Sequence, residues 1–555
     1  MVTPRPSPDS RRLWLAGAAL AVLTLLAYLP ALRGGFIWDD DNFLTLNPLI
    51  RAPDGLYRFW FTTQPTDYWP VTSTLLWFEW RLWGLDPAGY HAVNVALHVA
   101  EVLLLWSIFR RLRLPGAFLG ALLFALHPVN VESVAWIAQC KNLVAMLFFL
   151  LSLSWFLQTG LVEPGPHPMR RRAYALCLGA FLLALLSKGS VAPLPLVLLG
   201  LVAWRRRLTL RDALWSAPFL ALAAVLAGVN VWFQTHGESA IRQLGWADRL
   251  VGAGRVGWFY LGKALWPARI LFIYPQWHPD AGRLAGWLPL LAAAVVTGGL
   301  ARLSRPALFA WGYFWVMLIP VLGFADIAFM EYSPVANHYA HLALIGVVGL
   351  AAVGWSAWAG RQRRAALAGS ALVVAALFTL TWRQNQTYRS LESLYRTTLA
   401  DNPDAWVAHG NLGSLLAAEG RLPEAIPELE EALRLRPDYP QARVALGSAL
   451  ANTGHLAEAG MQFAEAVRLR PDFAEGHYNL ALVLEATGQP QAAMDHLETA
   501  LRIKPDLATA HNALGILLAQ SGQRAAAISH FETALQVDPG FAAARANLEV
   551  ARRQP

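Results

Sequence analysis

Three carboxylates in a row, Asp39, Asp40 and Asp41, follow an apolar stretch in the segment GGFIWDDDNF. Neighbouring acids repel, which raises the pKa of at least one of them unless a cation or a metal lies close. The bland alternative is a solvated loop that also caps the next helix. A charge at the centre of a bilayer costs about 2.5–3.5 kcal/mol on insertion scales, and an interfacial position avoids most of that. The chain has other short polar runs set among apolar ones. HPVNVESVAWIAQCKN carries His127, Glu132 and Lys141, LLSKGSVAPLP carries Lys188, and MEYSPVANHYAHL carries His338. His91 and His98 lie seven apart on one helix face, with Glu101 a turn beyond. That spacing reads as a polar stripe facing a bundle, since a metal site wants tighter ligand geometry.

What must hold these groups is a set of membrane helices. The 555 residues are 56% hydrophobic and only 15% charged, whereas soluble chains are about 25% charged. The net charge of +8 is not pooled as a nucleic-acid patch. It comes as arginine clusters at 11–12, 110–113, 170–172, 205–207 and 361–364, between apolar runs, the pattern of cytoplasmic loops. The run 13–32 is long enough to span a roughly 30 Å hydrocarbon core and reads as a first span, not a removed signal peptide. Cys140 and Cys177 make no disulfide framework and no metal spacing.

Apolar runs fall at 13–32, 91–109, 114–126, 142–158, 173–187, 190–204, 212–232, 284–300, 307–324, 341–358 and 365–381. As one helix, 173–204 would measure roughly 48 Å, too long for a single crossing. A hairpin broken at SKGS also keeps both flanking arginine clusters on one side. The expectation is therefore about eleven spans. With the N-terminus inside, an odd count places the C-terminal region outside the cytoplasm. The stretch 252–273, interrupted by Arg255, Lys263 and Pro267, is expected to be re-entrant or interfacial. With this topology the polar runs named above fall on the outer side. Trp60, Trp69, Trp77, Trp80 and Trp83 read first as an interfacial belt, and second as a sugar-stacking or lipid-guiding surface.

After residue 382 the composition changes. Pro403, Pro437, Pro471, Pro505 and Pro539 are 34 residues apart, and Gly420, Gly454, Gly488 and Gly522 keep the same period. So do two alanine ladders, one from Ala425 to Ala527 and one from Ala432 to Ala534. This period, with small residues at these places, resembles tetratricopeptide repeats. Small residues let paired helices approach, glycine turns the chain and proline ends the second helix. The expected organisation is a transmembrane domain at 1–382, a connecting half-repeat helix at 383–403, four repeats at 404–539 and a capping helix at 540–555. Such stacks are binding modules or assembly spacers. By register Asn411, Tyr478, Asn479 and Glu485 are the residues expected to face the groove.

FIWDDDNF, GLDPAGYHAVNVALH, HPVNVESVAWIAQCKN and LLSKGSVAPLPLVLL occur in this order before the repeats. Together they resemble the transmembrane and tetratricopeptide repeat-containing proteins and their bacterial relatives, over nearly the whole chain. The resemblance implies an all-α fold: a polytopic transmembrane domain of the GT-C glycosyltransferase type, then an α-solenoid of repeats. It implies transfer of a sugar, mannose in the eukaryotic protein O-mannosyltransferases, from a polyprenyl-phosphate donor to a hydroxyl such as protein Ser or Thr. The reaction would take place on the outer face of a membrane, here a bacterial inner membrane with the repeats in the periplasm. Asp39 and Asp40 match the paired acids of the family's first outer loop, one of which is the catalytic base. Asp41 falls outside the pair. A hydroxyl is a poor nucleophile and needs a carboxylate within reach to take its proton, while a phosphate leaving group needs cations.

Lys141, Lys188 and His338 are the candidate cations, and His127 and Glu132 candidate substrate contacts. Against these stand ordinary snorkelling for the lysines, and helix-start roles for His127–Pro128 and Glu132. No metal ligand set is assigned, and the lipid-linked sugar is the one ligand implied. Two departures from the family pattern stand out: ANHYAHL has Asn337 and His338 before Tyr339 where relatives carry an acid and an arginine, and Gly189 follows Lys188 where an acid is common. They motivate a second reading, a non-catalytic membrane scaffold that presents the repeats to partner proteins.

Overall fold

The computed structural model describes residues 8–163, 168–235 and 244–553, and every regular element among them is helical. The chain divides into two compact units at Thr397/Thr398.

In the first unit, six described helices are long and apolar enough to cross a membrane: Arg11–Arg33, Pro87–Arg111, Ile137–Phe156, Leu210–Phe233, Leu284–Leu303 and Arg363–Thr387. A seventh appears if Ala117–Ala125 and Pro128–Ala135, bent by 48°, count as one span. The expected eleven are therefore not reached by this measure. The runs at 190–204, 307–324 and 341–358 form shorter apolar helices, and 173–187 yields the 17-residue Arg171–Ser187. At 1.5 Å per residue, 17 residues cover only about 26 Å. The stretch around 252–273 is a 20-residue helix, Trp246–Leu265, followed by non-helical chain. It buries Val251, Ala253, Val256 and Tyr260 and leaves Leu250 and Arg255 exposed.

The run 173–204 does break at Lys188. Lys188 is extended, Gly189–Val191 makes a single 3₁₀ turn, and Pro193 and Pro195 open the helix Leu194–Arg205. The two arms return to the same end. Arg170 N–H donates to the Thr159 carbonyl at the start, and the Arg206 guanidinium donates to the Leu161 carbonyl at the finish. Arg205 donates to the Leu112 carbonyl (2.9 Å), so arginine clusters from three parts of the chain share one end. Helix starts follow local chemistry. Asp86 caps Ala88 N–H ahead of Pro87, and Ser304 accepts from Ala307 N–H ahead of Arg305–Leu318.

The second unit contains four helix pairs: Trp406–Ala418 with Leu422–Leu435, Pro440–Asn452 with Leu456–Leu469, Ala474–Ala486 with Pro490–Ile503, and Ala508–Gln520 with Arg524–Val537. Ala542–Arg553 follows and buries Ala544, Leu548 and Ala551. The turn glycines Gly420, Gly454, Gly488 and Gly522 have φ of +76°, +86°, +77° and +81°, where a Cβ would be strained. All eight ladder alanines are fully buried. One polar position also repeats between the helices of a pair: His409–Glu428 (2.6 Å), Arg443–Gln462 (3.0 Å), His477–His496 and His511–His530 (each 2.9 Å between Nδ1 atoms).

Candidate active site

The first long loop is anchored by Leu44, Leu49, Ile50, Phe59 and Leu76, which pack with Tyr90, Ile137 and Cys140. Trp60, Trp77, Trp80 and Trp83 lie partly buried against this cluster, so four of the five belt tryptophans support the loop. Just before the acids, Trp38 adopts φ +50°, a conformation that costs a bulky residue of the order of 1–3 kcal/mol. It is held edge-on by Phe272 (5.0 Å), Tyr332 (5.7 Å) and Tyr395 (6.1 Å).

Beyond this turn the three aspartates part company. Asp40 is fully buried. Its Oδ2 accepts from Ile37 N–H (2.8 Å) and its Oδ1 from Ala138 N–H (2.7 Å), so it ties the first loop to the second. Asp39 keeps 23% of its side chain exposed, with Lys141 Nζ at 3.9 Å. Its Oδ1 is the buried oxygen, turned toward the Trp136 side chain. Asp41 is exposed and accepts from the Thr45 hydroxyl in its own turn. Burial raises the pKa of Asp39, against the pull of Lys141 and Lys188. Burial raises Asp40 further, against its two backbone N–H donors.

Lys141 sits at the start of Cys140–Phe156, with its ammonium over the rings of Phe43 (4.2 Å) and Trp69 (5.0 Å). Lys188 donates to Asn142 Oδ1 (2.6 Å) from the break between its helices. Burial, then the Lys141 charge, holds the Lys188 pKa well below the ordinary lysine value, while Asp39, Asp67 and Glu132 pull it back up. Asp39, Lys141 and Lys188 thus form one electrostatic group, and Asp67 joins it. Sequence reasoning missed Asp67. Its one signal is position, just before Trp69 and the proline that opens Pro70–Trp83.

Glu132 is fully buried and fully engaged. It accepts from His338 Nδ1, from Asn337 Nδ2 (2.7 Å) and from the Tyr388 hydroxyl (3.2 Å). Asn337 in turn donates to the Leu271 carbonyl (2.6 Å) and accepts from the Tyr274 hydroxyl (2.8 Å). This latch joins four chain segments, and its two tyrosines carried no sequence signal, while Asn337 stood out only as a departure beside His338. Burial lowers the His338 pKa, against the pull of Glu132, so His338 is a weaker source of positive charge than the arginine of the family pattern. His127 turns elsewhere, accepting from Val129 N–H (3.3 Å) and donating to the Ala264 carbonyl (3.1 Å). A Cβ on Gly189 would stand 3.3 Å from the Asn230 amide, so an acid there would press on Asn230.

His98 and Glu101 are buried together (3.2 Å) beneath His341, which reaches Glu101 (3.5 Å) and Asn130 (2.9 Å). His91 is buried beside Gly34. Among the described residues no group of three or more His, Cys, Asp or Glu side chains is placed to hold a metal. In the repeats, Asn411 and Glu485 are half-buried, Asn479 turns back onto the Glu475 carbonyl (2.9 Å), and Tyr478 packs into the core shared by the last repeats.

Comparison with known proteins covers both units. Models described as "Tetratricopeptide repeat" and "TPR repeat" match residues 472–539 and 413–454. Protein O-mannosyl-transferase F38B6.6 of Caenorhabditis elegans is 30% identical over 149 residues, 24% of this chain and 22% of its own. Human protein O-mannosyl-transferase TMTC1 is 33% identical over 186 residues, 30% of this chain and 21% of its own. The Drosophila melanogaster protein O-mannosyl-transferase Tmtc1 is 25% identical over 552 residues, 76% of this chain and 62% of its own. The chain thus spans about a fifth of the length of the first two relatives. Among solved structures, that of MamA is 25% identical and covers 27% of this chain and 86% of its own, with a TM-score of 0.25.

Proposed function

We propose that this protein is a membrane glycosyltransferase that moves a sugar, mannose by analogy with its relatives, from a polyprenyl-phosphate donor to a hydroxyl acceptor. The observation that carries the reading is Asp39, a carboxylate that keeps part of its side chain exposed beside the Lys141 ammonium and within the field of Lys188. The similarity to protein O-mannosyl-transferases supports the same chemistry.

In this reading the acceptor hydroxyl attacks the anomeric carbon, and the bond from that carbon to the phosphate oxygen breaks. The hydroxyl proton passes to Asp39, and the electron pair leaves on polyprenyl phosphate. Lys141 and Lys188 hold the growing negative charge of the leaving phosphate. One displacement inverts the anomeric centre. Asp40 positions Asp39 through the Ile37–Ala138 clamp and takes no proton. Glu132 and His338 shape the wall around Lys188. The repeats recruit a protein acceptor, on the extracytoplasmic side of a bacterial inner membrane.

The test is transfer from polyprenyl-phosphate mannose to Ser- or Thr-containing peptides by the purified full chain. Wild type is expected to turn over, and Asp39→Asn to lose about 10²–10⁴-fold, the worth of a positioned general base. Equal rates for the two would sink the catalytic assignment. No transfer by wild type with any lipid-phosphate sugar would favour the scaffold reading, which the lowered His338 pKa also motivates.

A further inference from the structure

The end of the first unit that gathers the arginines holds a groove of about 520 Å³ between Leu194–Arg205 and Arg305–Leu318. Its walls include Leu196, Val197, Phe309 and Val316. Trp204 stacks on Phe309 with ring centres 5.2 Å apart. Gly200 keeps the floor open, because a Cβ there would already touch Phe309 at 3.5 Å. From Leu196 to Arg205 the helical wall rises roughly 14 Å at 1.5 Å per residue, with Arg207 just beyond its end, close to the depth of one leaflet of a roughly 30 Å hydrocarbon core.

Three arginines line the same groove, and they differ. Arg206 is neutralised by a two-pronged contact with Asp212 (2.6 and 2.8 Å). Arg207 and Arg305 are exposed, and neither meets an acid among the described residues. An apolar slot one leaflet deep therefore opens beside two uncompensated guanidinium groups. Lys188, at the other end of the same helix, belongs to the Asp39 group, so this slot is separate from the proposed catalytic site.

We propose that the groove binds one anionic phospholipid, with its phosphate on Arg207 and Arg305 and an acyl chain along Leu196, Gly200 and Phe309. A zwitterionic lipid offers the same chains, but its ammonium offsets the phosphate, so selectivity rests on net charge. Each basic side chain near an anionic headgroup contributes enough that two together give about thirtyfold.

Native mass spectrometry of the detergent-solubilised full chain, titrated with phosphatidylglycerol or phosphatidylcholine, tests this. Wild type is expected to prefer phosphatidylglycerol about thirtyfold. The exposed-site double variant R207Q/R305Q should lose that preference and keep weak binding of both lipids. G200L, which fills the slot, should lose both. Equal binding of the two lipids by wild type overturns the proposal, as does a preference that survives R207Q/R305Q. Unchanged phosphatidylglycerol binding by G200L overturns the placement of the acyl chain. Circular dichroism of the variants confirms that each is folded.

Discussion

Asp39 and Asp40 are neighbours in the chain and opposites in their surroundings, and mutation should separate them. Asp40→Asn offers one acceptor oxygen to two backbone N–H groups. The mismatch should cost about 1–3 kcal/mol, read as a lower melting temperature with activity lost alongside. Asp39→Asn should leave the melting temperature unchanged and remove turnover. A proton acceptor must be deprotonated, and burial holds Asp39 above the ordinary value of 3.8. The acid limb of kcat/KM should therefore lie above that value, with activity rising as pH rises through it; a limb at or below 3.8 would argue against Asp39 as the base. Lys188 gives a further check. Its depressed pKa should recover when an anionic phosphate arrives, so donor binding should take up protons. Calorimetry in two buffers of different ionisation heat measures this, and proton release would exclude Lys188 as a phosphate partner. From sequence, WDDD showed that acids lie here but not which one is free, because Asp40 is claimed by an amide 98 residues away.

At the level of elements, regular spacing was legible and irregular closure was not. The 34-residue ladder announced the repeats because each buried alanine and each positive-φ glycine answers the same packing demand in every unit. The break at Lys188 was legible from charge and length. The Glu132 latch was not, since Tyr388 looks ordinary until the fold brings it to the carboxylate, and Tyr274 until it meets Asn337. The histidine pairs were equally silent. Burial and then His477 lower the His496 pKa, with Asp495 opposing, and burial and His511 do the same for His530. Below the ordinary value of 6.5 the unfolded chain takes protons that His496 and His530 resist in the folded repeats, so repeat stability should fall as pH drops through that range. Hydrogen-exchange protection factors for Ala474–Ala486 and Pro490–Ile503, compared at about pH 7.5 and about pH 5.5, should show the loss. His496→Gln and His530→Gln should flatten it.

At the scale of the whole chain, composition sufficed for a membrane protein with a helical repeat region but not for the number of crossings. Hydropathy sees apolar runs, and 190–204, 307–324 and 341–358 are runs whose helices stop short. On the proposed topology a reporter fused after Pro555 lies outside the cytoplasm. Cytoplasmic labelling would part the repeats from the face that carries Asp39.

The Asp40–Ala138 contact also sets an order of events during synthesis. The carboxylate leaves the ribosome 98 residues before the amide that receives it, a delay of about 5–20 s at about 5–20 residues per second. Until the second loop arrives, Asp40 has only the Ile37 N–H as a donor, and the first loop can close only on itself and Tyr90. The acid pair therefore matures late, after several apolar helices have already been threaded. A nascent chain halted before Ala138 should still expose its first loop to protease, and one halted well beyond it should not.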